Sequence, residues 1–214
     1  MPAKTRADDY EIWSLIHEER LRLGDFLDTL SDAEWEVPSL CQGWQVRDVV
    51  AHCVQTYLLT PWSLGAAWIA SGLSLSRLND RGVARRRSLS RKELLTAYRA
   101  SAPRTTSYGG PKPSVLGEVI IHGGDIARAL GRTIEASPRS LITVAEFCRG
   151  TGPILHGRQR SMGLALQASD IEWRAGSGRA VRGPLISIIL AITGRLAAVE
   201  DLAGEGLETL RSRM

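Results

Sequence analysis

Hydrophobic residues recur at helical spacing along most of this chain. Between residues 5 and 30, Ile12, Leu15, Ile16, Leu23, Phe26, Leu27 and Leu30 share a face while Glu, Arg and Asp fill the other, which predicts a first amphipathic helix. Ser31-Asp32-Ala33-Glu34-Trp35 predicts a short helical turn that ends before Pro38. A loop over 38–44 leads into a second helix at about 45–72, with Val46, Val50, Cys53, Val54 and Tyr57 on its apolar arc. An arginine-rich loop follows. Ser90-Arg91-Lys92-Glu93 has capping-box spacing and opens a third helix over about 91–102. Pro103 to Pro113 is rich in Pro, Gly and Thr and reads as loop. Ser114 then caps a fourth helix, and Gly131 stands where a left-handed terminating residue is wanted.

The second part of the chain changes period. Ser137-Pro138 opens a helix over about 138–150, with proline tolerated at its first position. Residues 162–168, 171–175 and 180–182 then read as short strands, followed by an apolar helix over 184–195 and a short one over 202–213. The expected fold is mainly α: a four-helix bundle over residues 1–157 followed by a small α+β domain over 158–214. No internal repeat or low-complexity tract interrupts it.

Composition narrows the function classes. At 214 residues, 43% apolar and 23% charged, the chain can bury one good core, or one core and a small lobe. No run of about 18 apolar residues occurs, so no membrane span is expected. The first ten residues are polar and lack the apolar stretch of a secretory signal, and the expected compartment is the cytoplasm. The three cysteines, Cys41, Cys53 and Cys148, form no Cys-x-x-Cys pair, which argues against a disulfide framework and against a thiolate zinc site. The net charge of +4 is mild, and much of the basic charge lies in one run from Arg77 through Arg81, Arg85, Arg86, Arg87 and Arg91 to Lys92. No aromatic residue is interleaved there and no helix-turn-helix or zinc-finger pattern accompanies it. The run therefore reads as a solvated loop, with recruitment of small anions or a nucleic-acid contact as alternatives.

The residues that carry chemistry are concentrated at 118–125, Glu-Val-Ile-Ile-His-Gly-Gly-Asp. Offsets of four and three put Glu118, His122 and Asp125 on one helix stripe, where a carboxylate and an imidazole one turn apart can reach the same cation. The stripe borders the apolar arc of Leu116, Val119, Ile120, Ile126, Ala127 and Leu130, while Gly117, Gly124, Ile121 and Arg128 mark the expected wet edge. Two donors on one helix rarely hold a divalent ion alone. His52, mid-way along the second helix, is the candidate third, and Asp48, Gln55 and Thr56 share its face. If the three meet, they form a metal site with an open position; if they do not, the motif is a surface pair. His/Glu/His donors suit Zn²⁺, and iron, nickel or manganese accept the same donors. Asp125 and Asp48 stand where they can orient the imidazoles, or they are solvated, helix-pairing carboxylates. His17, His156 and Cys53 read as structural.

These residues resemble a known family. Cys41-x-Gly43-Trp44-x-Val46-Arg47-Asp48-Val49-Val50-Ala51-His52, then Glu118-x-x-x-His122-x-x-Asp125-x-x-Arg128-Ala129-Leu130-Gly131, are similar to the mycothiol-dependent maleylpyruvate isomerases of the DinB-like superfamily. Asp170 to Trp173, Gly183-Pro184, Gly194-Arg195 and Asp201-Leu202-x-Gly204-x-Gly206 resemble their C-terminal domain. The resemblance implies a DinB-like up-down bundle with zinc on His52, Glu118 and His122, and mycothiol as a thiol cofactor at the open metal position. The thiolate adds to a cis double bond conjugated to a carbonyl, the bond rotates, and the thiol leaves. Arg195 is the position carried over for holding the anionic substrate; read alone, it is a helix-end cation facing carbonyl dipoles. The stretch between His52 and Glu118 is short beside the isomerase, and it shapes the pocket.

The expectation is a metal- and thiol-dependent enzyme acting on a small electrophile, as a monomer or homodimer, with no membrane and no nucleic-acid partner. A mycothiol S-transferase in detoxification and a non-catalytic metal- or ligand-binding module are the alternatives.

Overall fold

The computed structural model describes residues 6–107, 110–152 and 155–214. Residues 1–5, of which only the last belongs to the predicted first helix, Tyr108 and Gly109 in the predicted loop, and Pro153 and Ile154 lie outside the described residues. The chain divides into two compact units, Met1–Glu135 and Ala136–Met214. The mainly helical architecture with one small sheet is the fold class expected.

The first unit contains α1 (Arg6–Asp28), α2 (Asp32–Trp35), α3 (Val46–Leu58), α4 (Pro61–Ala70), α5 (Leu75–Ala84), α6 (Arg91–Ser101) and α7 (Lys112–Ala129). α1 packs on α6 and α7, and α3 packs on the same two, so these long helices close a ring around one core. Leu23, Leu27 and Leu30 of the first helix region, Val50, Val54 and Tyr57 of α3, Leu94 and Tyr98 of α6, and Val119 and Ile126 of α7 fill it. The capping boxes at Ser31–Glu34 and Ser90–Glu93 form as their spacing predicts, with Ser31 and Ser90 accepting from the Glu34 and Glu93 amides.

Three local expectations are corrected. The predicted helix over 45–72 breaks after Leu58: Leu59 and Thr60 are extended (ψ 133° and 164°) because a residue before proline is pushed out of the helical region, and α4 begins at Pro61. The arginine-rich stretch is not a loop but contains α5. Ser74 caps it, and Leu78, Gly82 and Val83 bury one face against α3 while Arg77, Arg81 and Arg85 are exposed. The fourth helix starts at Lys112, and the Ser114 hydroxyl donates to the Pro111 carbonyl (2.6 Å) instead of capping. Its far end is as expected. Gly131 has φ +62°, and Arg132 N–H reaches back to Ala127 O (2.9 Å), the six-to-one bond of a left-handed terminator.

In the seam between α5 and α3, a Cβ at Gly82 would stand 1.1 Å from Gln55 Oε1, so the Gln55 amide would have to move. Gly82→Leu is expected to lower stability by about 1–3 kcal/mol through overpacking, read from the urea midpoint.

The second unit contains α8 (Pro138–Gly150), α9 (Gly157–Ser161), β1 (Leu164–Ala168), β2 (Arg174–Gly176), β3 (Arg179–Gly183), α10 (Leu185–Ile192), a 3-10 turn (Leu196–Asp201) and α11 (Leu207–Arg211). The sheet order is β2-β1-β3, antiparallel at Leu166↔Ala175 and parallel at Leu166↔Val181. α8, grouped with the bundle by the sequence reading, packs on α10 in this unit through its buried Leu141, Val144, Ala145 and Cys148 face. The predicted helix over 184–195 ends earlier, at Ile192, before Gly194 (φ +102°). Only Leu207–Arg211 of the predicted 202–213 helix forms. No described helix is long and apolar enough to cross a membrane.

Candidate metal centre

The site is assembled from one loop and two helices of the first unit. Between α2 and α3 the chain folds back on itself: Pro38 and Gln45 form an isolated bridge, Ser39 N–H donates to Trp44 O (2.9 Å), and Trp44 N–H donates to Cys41 O (3.0 Å). Gly43 takes φ +78°, a conformation that a side chain resists. The loop delivers the Trp44 ring to within 5.1 Å of the His52 ring, and Trp44 Nε1 is tied to Asp80 Oδ1 of α5 (3.2 Å).

α3 and α7 pack side by side and bring His52 to the Glu118–His122 pair. Glu118 Oε2 lies 3.4 Å from His52 Nε2 and 3.3 Å from His122 Nε2. The two imidazole rings meet edge to face, 5.0 Å apart. The three ligand atoms all lie within 4.8 Å of one another.

These distances suit a ligand set as well as an ion-pair cluster. An N–H···O bond prefers about 2.9–3.0 Å. Two ligand atoms each about 2.1 Å from one tetrahedral ion stand roughly 3.4 Å apart. The observed separations match the second spacing, and Glu118 Oε2 is buried with no hydrogen-bond partner. The neighbouring contact makes the contrast, because His122 Nδ1 meets Asp125 Oδ2 at 3.0 Å, a true hydrogen bond. The residues therefore fit a divalent cation with three donors from two helices. Glu118 keeps 28% of its side chain exposed, so the cluster opens on that side.

Electrostatics agree with the geometry. Burial would raise the Glu118 carboxyl, but the His122 and His52 imidazoles outweigh it and hold the group well below the usual carboxylate range. Burial would lower His122, yet Asp125, Cys41 and Glu118 hold its proton well above the ordinary imidazole value. Two carboxylates thus hold the His122 proton in a partly buried cluster, and a cation bound there would displace it.

The other expected residues divide. Asp125 is fully buried and accepts from His122 Nδ1–H. Asp48 does not orient an imidazole. Its Oδ2 accepts from Gln45 N–H (3.2 Å) at the start of α3, its Oδ1 faces Arg87 Nε (3.5 Å), and His52 Nδ1 is buried without a partner. The carboxylate serves the helix terminus because Asp48 is the third residue of α3. Arg195 lies in the second unit at the head of the 3-10 turn, with Nη1 donating to Thr193 O (3.0 Å). Cys53 is core, its thiol pushed up to about 11 by burial. Gly117, Ile121 and Gly124, expected at a wet edge, are buried.

Sequence reasoning missed two contacts. Cys41 donates to Asp125 Oδ2 (3.1 Å), and Trp44 covers His52. Both residues stood in the quoted motif, but helical periodicity says nothing about where a loop reversing at Gly43 points its side chains.

Residues 16–107 match the family described as the mycothiol maleylpyruvate isomerase N-terminal domain. The match agrees with the resemblance read from the motifs. Two crystal structures of the mycothiol-dependent maleylpyruvate isomerase, one a histidine-to-alanine mutant, share the fold with TM-scores of 0.62, at 18% and 17% identity for the unmutated and mutant proteins. Each likeness covers 92% of both chains. No curated protein sequence matches. His52 falls inside the residues of the family match, whereas Glu118 and His122 lie beyond them and join the site through the packing of α7.

Proposed function

We propose that His52, Glu118 and His122 bind a divalent cation, zinc by donor type, and that the protein uses mycothiol to isomerise a small cis-unsaturated electrophile of the maleylpyruvate type. The observation that supports this most is the 3.3 and 3.4 Å spacing of Glu118 Oε2 from the two Nε2 atoms. A bound zinc lowers the pKa of a thiol or water at its open position and polarises a neighbouring carbonyl.

The chain's own residues do the rest. His52 and His122 would offer Nε2, and Glu118 a carboxylate oxygen, to the cation, leaving the partly exposed Glu118 side for an incoming thiol. Asp125 accepts the His122 Nδ1 proton and so keeps Nε2 unprotonated when the cation is held. Trp44, anchored on Asp80, excludes water from the flank of His52. Arg195 is proposed to bind the substrate carboxylate. Thiol addition makes the double bond single, rotation follows, and elimination returns the thiol, so nothing is consumed.

That balance provides the test. Protein, zinc, mycothiol and maleylpyruvate are incubated, and product and free thiol are both counted. Isomerisation with thiol conserved is the expected result. The second reading, an S-transferase, predicts thiol loss equal to electrophile loss. No turnover of either kind with stoichiometric metal bound would leave a non-catalytic binding module and end the enzyme reading.

A further inference from the structure

We propose that Cys41 is a positioning residue of the metal centre, which holds the Asp125 carboxylate in the orientation that fixes the His122 ring. The proposal rests on the metal reading above and adds a residue to it. The geometry is a converging pair of donors. Cys41 Sγ–H donates to Asp125 Oδ2 at 3.1 Å, and His122 Nδ1–H donates to the same oxygen at 3.0 Å. Sulfur and Nδ1 are also in direct contact at 3.7 Å, both beside the same carboxylate oxygen. Asp125 has no exposed surface, so bulk water does not set its rotamer.

The loop that carries the thiol is built to hold it there. Cys41 N–H donates to Ser39 Oγ (3.1 Å), Ser39 Oγ donates to Trp44 O (2.8 Å), and Leu40 N–H reaches the Asp125 carbonyl (3.4 Å). The backbone of the loop is therefore tied to the turn of α7 that bears Asp125. The same loop sets Trp44 against His52. One short segment thus presses on both imidazoles, through a carboxylate on one side and through ring contact on the other.

Cys41 acts through Asp125 and is not a ligand of the cation at Glu118. Its sulfur stands beside Nδ1, while Glu118 faces Nε2, on the other edge of the His122 ring. Cys41, Asp125 and His122 Nδ1 also form a compact trio within 4.8 Å, so direct coordination of a soft ion by sulfur is the competing outcome.

The full-length protein and its Cys41→Ala and Cys41→Ser variants test this with two readouts. In metal-free protein, the nitrogen-15 and proton resonances of the His122 ring report whether Nδ1 carries its hydrogen-bonded proton. The proposal expects a slowly exchanging Nδ1–H in wild type, its loss in Cys41→Ala and its return in Cys41→Ser, whose hydroxyl can make the same bond. With metal, zinc affinity by chelator competition is expected to fall about tenfold in Cys41→Ala, the low end for partners of a metal-ligating histidine, and to recover to within about twofold in Cys41→Ser. A folded alanine variant with an unchanged Nδ1–H signal and unchanged affinity overturns the proposal. So does a sulfur-to-cobalt charge-transfer band in the Co²⁺-loaded wild type that disappears in Cys41→Ala, because it makes the sulfur a ligand. A wild type that binds no metal but shows the Cys41-dependent Nδ1–H upholds the positioning and removes the metal reading alone.

Discussion

His122→Ala is expected to give a folded protein that has lost both its metal and its thiol chemistry. The substitution removes one of three donors and also leaves Asp125 without the imidazole that it holds. Two donors on different helices, His52 and Glu118, do not retain a divalent ion through dilution and desalting. Metal content by elemental analysis is expected to drop from near stoichiometric in wild type to background. The several kcal/mol that a Lewis-acidic ion contributes would vanish with it, a loss of about a thousandfold or more in kcat/KM. Far-ultraviolet circular dichroism should be unchanged, because the core of Leu23, Leu27, Val50, Val54, Tyr98 and Ile126 is untouched. His17→Ala, in the middle of α1, serves as the control that keeps its metal. Stoichiometric metal in neither wild type nor variant would end the metalloenzyme account.

The second large effect is on pH. In the metal-free protein Glu118 titrates below its ordinary 4.5 and His122 above its ordinary 6.5. A depressed carboxyl contributes stability above its unfolded value and loses it as pH falls through its folded value. A raised imidazole contributes stability below its unfolded value and loses it as pH rises through its folded value. Together they stabilise the metal-free fold most between about 4.5 and 6.5. Metal binding reverses the upper side, because the His122 proton must leave before Nε2 can donate. Zinc affinity should therefore rise by about tenfold per pH unit from pH 6 upward until His122 has titrated, with about one proton released per ion. The difference in melting temperature between loaded and metal-free protein should widen over the same range. A flat affinity between pH 6 and 8, or no proton release by calorimetry in buffers of different ionisation heat, would contradict the coupling.

The parts of this molecule that obey a period were legible in the sequence. The i, i+4, i+7 stripe of Glu118, His122 and Asp125 needed only helical geometry, and the capping boxes at Ser31 and Ser90 needed only their spacing. α5 was missed although Leu78, Gly82 and Val83 repeat at helical spacing, because the density of arginine read as solvated loop. The break at Thr60-Pro61 was overrun because the apolar pattern continues across it into Trp62, Leu64 and Trp68, although proline constrains the residue before it. Asp48 shows the limit of face-sharing arguments. Its offset from His52 is the same four residues that joins Glu118 to His122, yet a position in the first turn of α3 gives it a backbone amide to serve. What a period cannot carry is loop geometry, and that is where Cys41 and Trp44 enter the site.

X-ray absorption on the zinc-loaded protein before and after mycothiol addition tests the central claim most directly. The account predicts nitrogen and oxygen neighbours only, at about 2.0–2.2 Å with the multiple-scattering pattern of imidazole, and one sulfur at about 2.3 Å once the thiol is added. A sulfur neighbour already present without added thiol, or a shell with no imidazole, would contradict an open cation site built from His52, Glu118 and His122.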